Sequence, residues 1–233
     1  MIRSIAVVPH PPLLVPELMG AAAAEAEPVR RACQQAIRGL GPGPWHAVGA
    51  DPAGPLTVPS GARASFRGYG VDVAVTLGVG PPGDHPGLPL PLLVAAWLSE
   101  QAAGPVVTGE VVPPSWPADT CLARGRELAA ADGERALLVL GDGARTHDVP
   151  GAGRVDARAV DFDRAVAVAL ASADAGALAA LDAGLAEELG AGGRAAWQVL
   201  AGAAEGRRWA ATSYYDAAPY GVGYHVALWR ALP

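Results

Sequence analysis

Apolar and polar positions alternate along this chain in blocks that switch between strand-like and helix-like spacing. Ile2 to Val8 is a short, β-branched apolar run closed by Pro9, which predicts a buried strand. Four prolines then stiffen the loop from Pro9 to Pro16. From about Ala21 to Leu40 the chain is rich in Ala, Glu, Gln and Arg and is closed by Gly-Pro-Gly, which predicts a helix. Trp45 to Ala50 predicts a second strand, Val71 to Leu77 a third and Pro105 to Val112 a fourth. The stretch from Gly54 to Gly70 is rich in Pro, Gly and Ser and predicts a long loop. Arg135 to Leu140 (RALLVL) is the clearest buried strand, and it runs into Gly-Asp-Gly-Ala-Arg-Thr-His147.

Helices are predicted over Leu90 to Gln101, Pro117 to Ala131, Phe162 to Ala171, Ala175 to Leu189 and Ala195 to Ala204, with Asp174 as an N-cap. Arg208 to Tyr215 and Tyr224 to Trp229 predict a closing strand pair around a Pro-Tyr-Gly turn. Strands alternating with helices argue a single α/β domain over residues 1–233, its sheet mostly parallel with an antiparallel edge.

Composition narrows the classes of partner. The 233 residues are 51% hydrophobic, enough for a sizeable core. The net charge is −6, and all 17 basic residues are Arg. Without a basic stripe there is no footprint for nucleic acid or an anionic membrane. No apolar stretch reaches the roughly 18 residues of a membrane span. Cys33 and Cys121 stand far apart, outside any C-x-x-C, which argues two buried thiols rather than a disulfide framework or zinc ribbon. With an opening that lacks the marks of a signal peptide, these features give the expectation of a cytoplasmic protein.

Ligands in open α/β sheets bind beyond the carboxyl ends of strands. That rule selects His10 after the first strand, Asp51 after the second, and His147 after the Arg135–Leu140 strand. Prolines flank His10 and hold its backbone, which suits a metal ligand or an acid/base group; capping of a backbone carbonyl explains it equally well. His147 follows a glycine-rich turn beside Asp142, Arg145 and Asp148, where an imidazole can move protons near neutral pH; an ordinary glycine turn carrying a surface histidine is the alternative. Asp51 precedes Pro52, a common turn start. His46, His85 and His225 are expected to be structural. Tyr214, Tyr215, Tyr220 and Tyr224, with Trp209 and Trp229, predict aromatic packing. Fingerprints for a serine nucleophile elbow, a phosphate-binding loop, a zinc-protease helix and a dinucleotide site are all missing from the sequence.

The opening IAVVPHPPLLVPEL, the middle LLVLGDGARTH, the FDRAVAVAL segment and the ending AAWQVLAGAAEG…YYDAAPYGVGYHVALW resemble, in that order, the LigB-like superfamily. This comprises the catalytic subunits of class III extradiol ring-cleavage dioxygenases and their Memo-like relatives. The resemblance implies a central, mostly parallel or mixed sheet flanked by helices. It also implies a non-haem Fe(II), or another divalent metal, on two His and a carboxylate, with open positions for a catechol and O₂. A further His acts as acid/base.

Carried over, His10 matches the first metal ligand and His147 the acid/base. Where the family has its second metal His, this chain offers Asp51. Where the family has its Glu, this chain reads Ala191-Gly192-Gly193-Arg194-Ala195-Ala196-Trp197. An iron on His10 and Asp51 would have two protein ligands where catalytic sites supply about three.

The resemblance therefore implies a dioxygenase-like protein acting on a catechol or another small aromatic molecule, with an incomplete ligand set. The alternative is a catalytically inactive member that binds a small ligand or partner protein. Metal-free acid/base catalysis by His10 and His147 is a third reading. The implied partners are a small aromatic molecule and a second copy or partner subunit.

Overall fold

The computed structural model describes residues 1–102, 104–149 and 153–233. Its frame is a seven-stranded mixed sheet in the order β3-β7-β2-β8-β1-β10-β9. The strands are β1 (Ile2–Val8), β2 (Trp45–Ala50), β3 (Leu56–Val58), β7 (Val107–Val112), β8 (Arg135–Leu140), β9 (Trp209–Ala217) and β10 (Tyr224–Ala231). β7, β2, β8 and β1 run parallel. β3 and β10 run against their neighbours, and β9 against β10. β8 lies at the centre of the parallel block, covered on both faces, so its near-continuous apolar run is what such a strand requires.

Helices cover both faces. They are α1 (Pro16–Met19), α2 (Glu27–Gly39), α3 (Leu90–Glu100), α4 (Ala118–Ala130), α5 (Arg158–Ser172), α6 (Ala175–Ala179), α7 (Ala183–Leu189) and α8 (Arg194–Ala204). One core joins α2 and α3 to Ala6, Val8, Leu138, Leu140, Tyr224 and Val226. The other joins α5 and α8 to Ile5, Val7, Leu137, Val139, Ala227 and Trp229. Successive strand residues thus point to opposite faces. Every residue of α8 is buried, which accounts for its alanine-rich sequence.

Four expectations need revision. The stretch from Gly54 to Gly70 is not a plain loop. It holds β3, β4 (Ala62–Ser65) and a 3₁₀ turn at Phe66–Tyr69. The third expected strand is shorter, β5 (Ala74–Leu77). It pairs with β4 and β6 (Gly83–Asp84) in a separate sheet of order β5-β4-β6. The helix expected from Ala21 begins at Glu27, after a 3₁₀ segment over Gly20–Ala24. The segment Ala175–Leu189 is two helices, because Asp182 caps the second by accepting from the Leu185 N–H at 2.6 Å. Asp174 caps the first, as expected, accepting from Ala177 N–H at 2.9 Å.

Candidate functional site

Parallel strands end together, so β1, β8 and β2 deliver their following loops to one rim. β10 runs antiparallel to β1, and its first residues, Tyr224 and His225, reach the same rim. All three residues selected from the sequence therefore stand at this edge, but they take different partners there.

His10 leans on the loop after β8. Its backbone N–H donates to Asp142 Oδ1 at 2.9 Å, and its Nδ1 lies 3.8 Å from the same oxygen. That nitrogen is buried and makes no hydrogen bond. The carboxylate of Asp142 raises the pKa of both Cys33 and Tyr224, adding to the larger effect of burial on each. Both belong to the α2 side of the sheet.

Asp51 closes a turn. Its Oδ1 accepts from the Ala53 N–H at 2.8 Å, and its carbonyl accepts from the Gly54 N–H at 2.9 Å. β8 separates its strand from that of His10, so the two strand ends lie roughly 10 Å apart.

His147 faces the other side. Its Nε2 is 2.6 Å from Asp163 Oδ2, on the buried face of α5. Asp163 Oδ1 accepts from the Ala144 N–H at 3.0 Å. The same oxygen is 3.5 Å from His225 Nε2, an ion-pair contact rather than a hydrogen bond. On the far side of that ring, His225 Nδ1 is 3.0 Å from Asp216 Oδ1, its cross-strand neighbour on β9. A row His147–Asp163–His225–Asp216 results.

Two glycines make the row possible. A Cβ at Gly223 would lie 1.8 Å from Asp163 Oδ2, and one at Gly143 would lie 2.4 Å from Oδ1. Without side chains, the two loops bond to each other (Gly143 N–H to Gly223 O, 2.7 Å; Gly223 N–H to Ala144 O, 2.9 Å) and close over the carboxylate.

Charge in the row follows from burial and neighbours. Burial opposes ionisation of Asp163, but the charge of His225, the Ala144 N–H and the His147 hydrogen bond outweigh it. The carboxyl is held below its usual range. Burial likewise opposes a charge on His225, yet Asp163 and Asp216 lift its pKa to about 9. At neutral pH an imidazolium therefore sits between two carboxylates. Asp163 accepts from His147, which leaves the Nε2–H tautomer and frees Nδ1 as a base.

Two hollows open at this rim. One of about 290 Å³ is lined by His147, Asp163, Asp216, Gly223 and His225, with Val160, Arg164, Ala217 and Ala218. The other, about 680 Å³, lies over the ends of β2 and β7 and the start of α8. His10 and Asp51 line neither.

The donors do not fit the iron that the resemblance implies. Among the described residues no group of three or more His, Cys, Asp or Glu side chains stands ready for a metal ion. His10 turns to Asp142 and not to Asp51, and an Asx turn already engages the Asp51 carboxylate.

Sequence reasoning missed Asp163 and Asp216 and set His225 aside as structural. Asp163 did carry a signal. It shares a helix face with Ala159, Phe162, Val166 and Leu170, and a carboxylate among such positions needs a partner. His46, expected to be structural, is buried at 3.3 Å from Glu110 Oε2, near the opposite end of β2. Both cysteines are buried and free. No helix among the described residues is long and apolar enough to cross a membrane.

No family model matches the chain, and no curated protein matches it. Among solved structures it is similar to the uncharacterized protein JW3007 from Escherichia coli K12. The TM-score is 0.55 and the identity 14%, over 98% of this chain and 99% of the other. That similarity is one of fold.

Proposed function

We propose that this chain binds a small aromatic molecule bearing an ionisable hydroxyl in the hollow beside His147, and that His147 exchanges a proton with it. The observation that carries this reading is the 2.6 Å contact between His147 Nε2 and the buried Asp163 carboxylate at the wall of that hollow. A carboxylate that fixes an imidazole's tautomer and stabilises its protonated form is the usual support of a general base. A cavity of about 150 Å³ accepts benzene, so 290 Å³ accommodates a single substituted ring. His147 is also the residue that the LigB-like resemblance matches to the acid/base histidine.

In this reading the proton-transfer half of such a site is kept and the iron half is not built. The chain is then a ligand-binding relative of the extradiol dioxygenases rather than an iron oxygenase. Calorimetry with catechol and phenol on metal-free protein tests this. Binding with proton transfer to the protein, abolished in His147→Gln, is the expected result. Protein that binds one equivalent of Fe(II), loses it in His10→Ala and cleaves catechol only when loaded would overturn it.

A further inference from the structure

The larger hollow shares no lining residue with that of His147. Its walls are mostly Pro, Ala and Gly, including Pro52, Pro113, Pro114 and Ala191. Its charged lining residues are Arg145, Arg194 and Glu187.

Arg145 is held out into this space by its surroundings. Its backbone N–H donates to Leu189 O at 3.0 Å, tying the loop after β8 to the end of α7. Its stem lies against Gly190, where a Cβ would stand 2.2 Å from Arg145 Nε. Among the described residues its guanidinium makes no ion pair and no side-chain hydrogen bond, and Arg145 is exposed.

Arg194 differs: it is 5% exposed. Its guanidinium donates to the carbonyls of Trp116 (2.7 Å) and Pro114 and to Gln198 Oε1 (2.8 Å), all neutral acceptors. Among the described residues no carboxylate answers this charge. Buried charges ordinarily have a counter-ion. Arg194 also opens α8, eleven residues long with no side-chain cap, and the backbone at such a helix start adds positive potential. Two guanidinium groups against one carboxylate leave this hollow with one surplus positive charge.

We propose that the hollow is a binding site for a short-chain organic monocarboxylate. The Arg145 guanidinium takes the head through the fork that matches a carboxylate, Arg194 and the start of α8 supply the field, and the proline and alanine walls cover the aliphatic tail. Glu187 disfavours a more highly charged anion, and the apolar walls disfavour a bare inorganic one. A volume of about 680 Å³ lies within the range of small-molecule sites.

Calorimetry on the full chain tests this with butyrate and hexanoate against butyramide and hexanamide, and with inorganic phosphate as a competitor. Hexanoate is expected to bind more tightly than butyrate, and each acid more tightly than its amide by about tenfold or more, with binding weakened by salt. Arg145→Gln, an exposed substitution, should cost hexanoate a similar factor, while Arg145→Lys should lose part of it. The acid–amide comparison needs no variant. Hexanamide binding as well as hexanoate, phosphate displacing hexanoate at equal concentration, an Arg145→Gln protein with unaltered affinity, or no binding at millimolar hexanoate would each overturn the proposal.

Discussion

Two buried histidine–carboxylate clusters lie toward opposite ends of the same sheet. Toward the amino end of β2, Glu110 sits 3.3 Å from His46 and is gripped by Arg124, whose Nε lies 3.2 and 3.1 Å and Nη2 2.6 Å from its oxygens. Burial opposes ionisation of Glu110, yet His46 and Arg124 hold its pKa below normal. At the carboxyl rim, Asp163 has the same degree of burial but no arginine ion pair among the described residues. Its partners are two histidines and a backbone N–H. A carboxylate gripped by a permanently charged fork is fixed at every ordinary pH. A carboxylate answered by imidazoles changes its surroundings whenever one of them gains or loses a proton. The second cluster also borders a hollow. The difference separates a structural ion pair from a site that can do chemistry.

Four experiments break or sharpen that contrast. The largest effect is expected from Asp163→Ala, which strands the His225 charge and frees the two loops. Removing one member of a buried pair costs about 3–5 kcal/mol, read by urea denaturation near pH 6. Glu110→Ala should cost less, since the Arg124 side chain is 31% exposed and can turn to solvent and to Glu127.

Gly223→Ala comes next. Its Cβ would overlap Asp163, and overpacking of this kind costs about 1–3 kcal/mol. The same denaturation curves should show it, together with weakened phenol binding.

Third is the pH dependence. The His225 pKa is raised in the folded chain, so its contribution to stability is complete below the ordinary value of 6.5 and disappears as the pH climbs through about 9. Stability should fall across that window by at most about 3 kcal/mol, and Asp216→Asn should flatten the fall. Asp163 is lowered and acts in the opposite sense: its contribution is present above 3.8 and is lost on acidification below that value. The His46 cluster has the same acid limb through Glu110.

The smallest effect is expected at Asp51. Asp51→Ala removes one Asx-turn hydrogen bond, worth about 1 kcal/mol or less, and should leave metal content unaltered. A loss of bound iron in that variant would reinstate the ligand role.

Much of the frame was legible in the residues. β1, β2, β8 and α3 follow from uninterrupted apolar runs and helical spacing, and the rim follows from parallel strands. The small sheet was hidden because its strands are two to four residues long and lie among prolines and glycines, too short to show alternation. The early start assigned to α2 came from Ala21 to Ala24, whose propensity is helical but which lie in a 3₁₀ turn.

In the site, His147 was found because it follows a buried strand. The carboxylate it meets, Asp163, lies on α5 and is brought close only by tertiary packing. His225 and Asp216 face each other across β9 and β10, so drawing the hairpin register would have paired them. His10 and Asp51 were placed on the right edge, but strand order sets β8 between them, and order is not written in local spacing.

The central claim is that Asp163 is ionised between two imidazoles, fixing one as a base and keeping the other charged. Long-range proton–nitrogen correlation spectra of the histidine rings at pH 7 address it directly. The account predicts a proton on His147 Nε2, facing Asp163, and His225 protonated on both nitrogens until the pH approaches about 9. A neutral His225 at pH 7, or His147 protonated only on Nδ1, would contradict it.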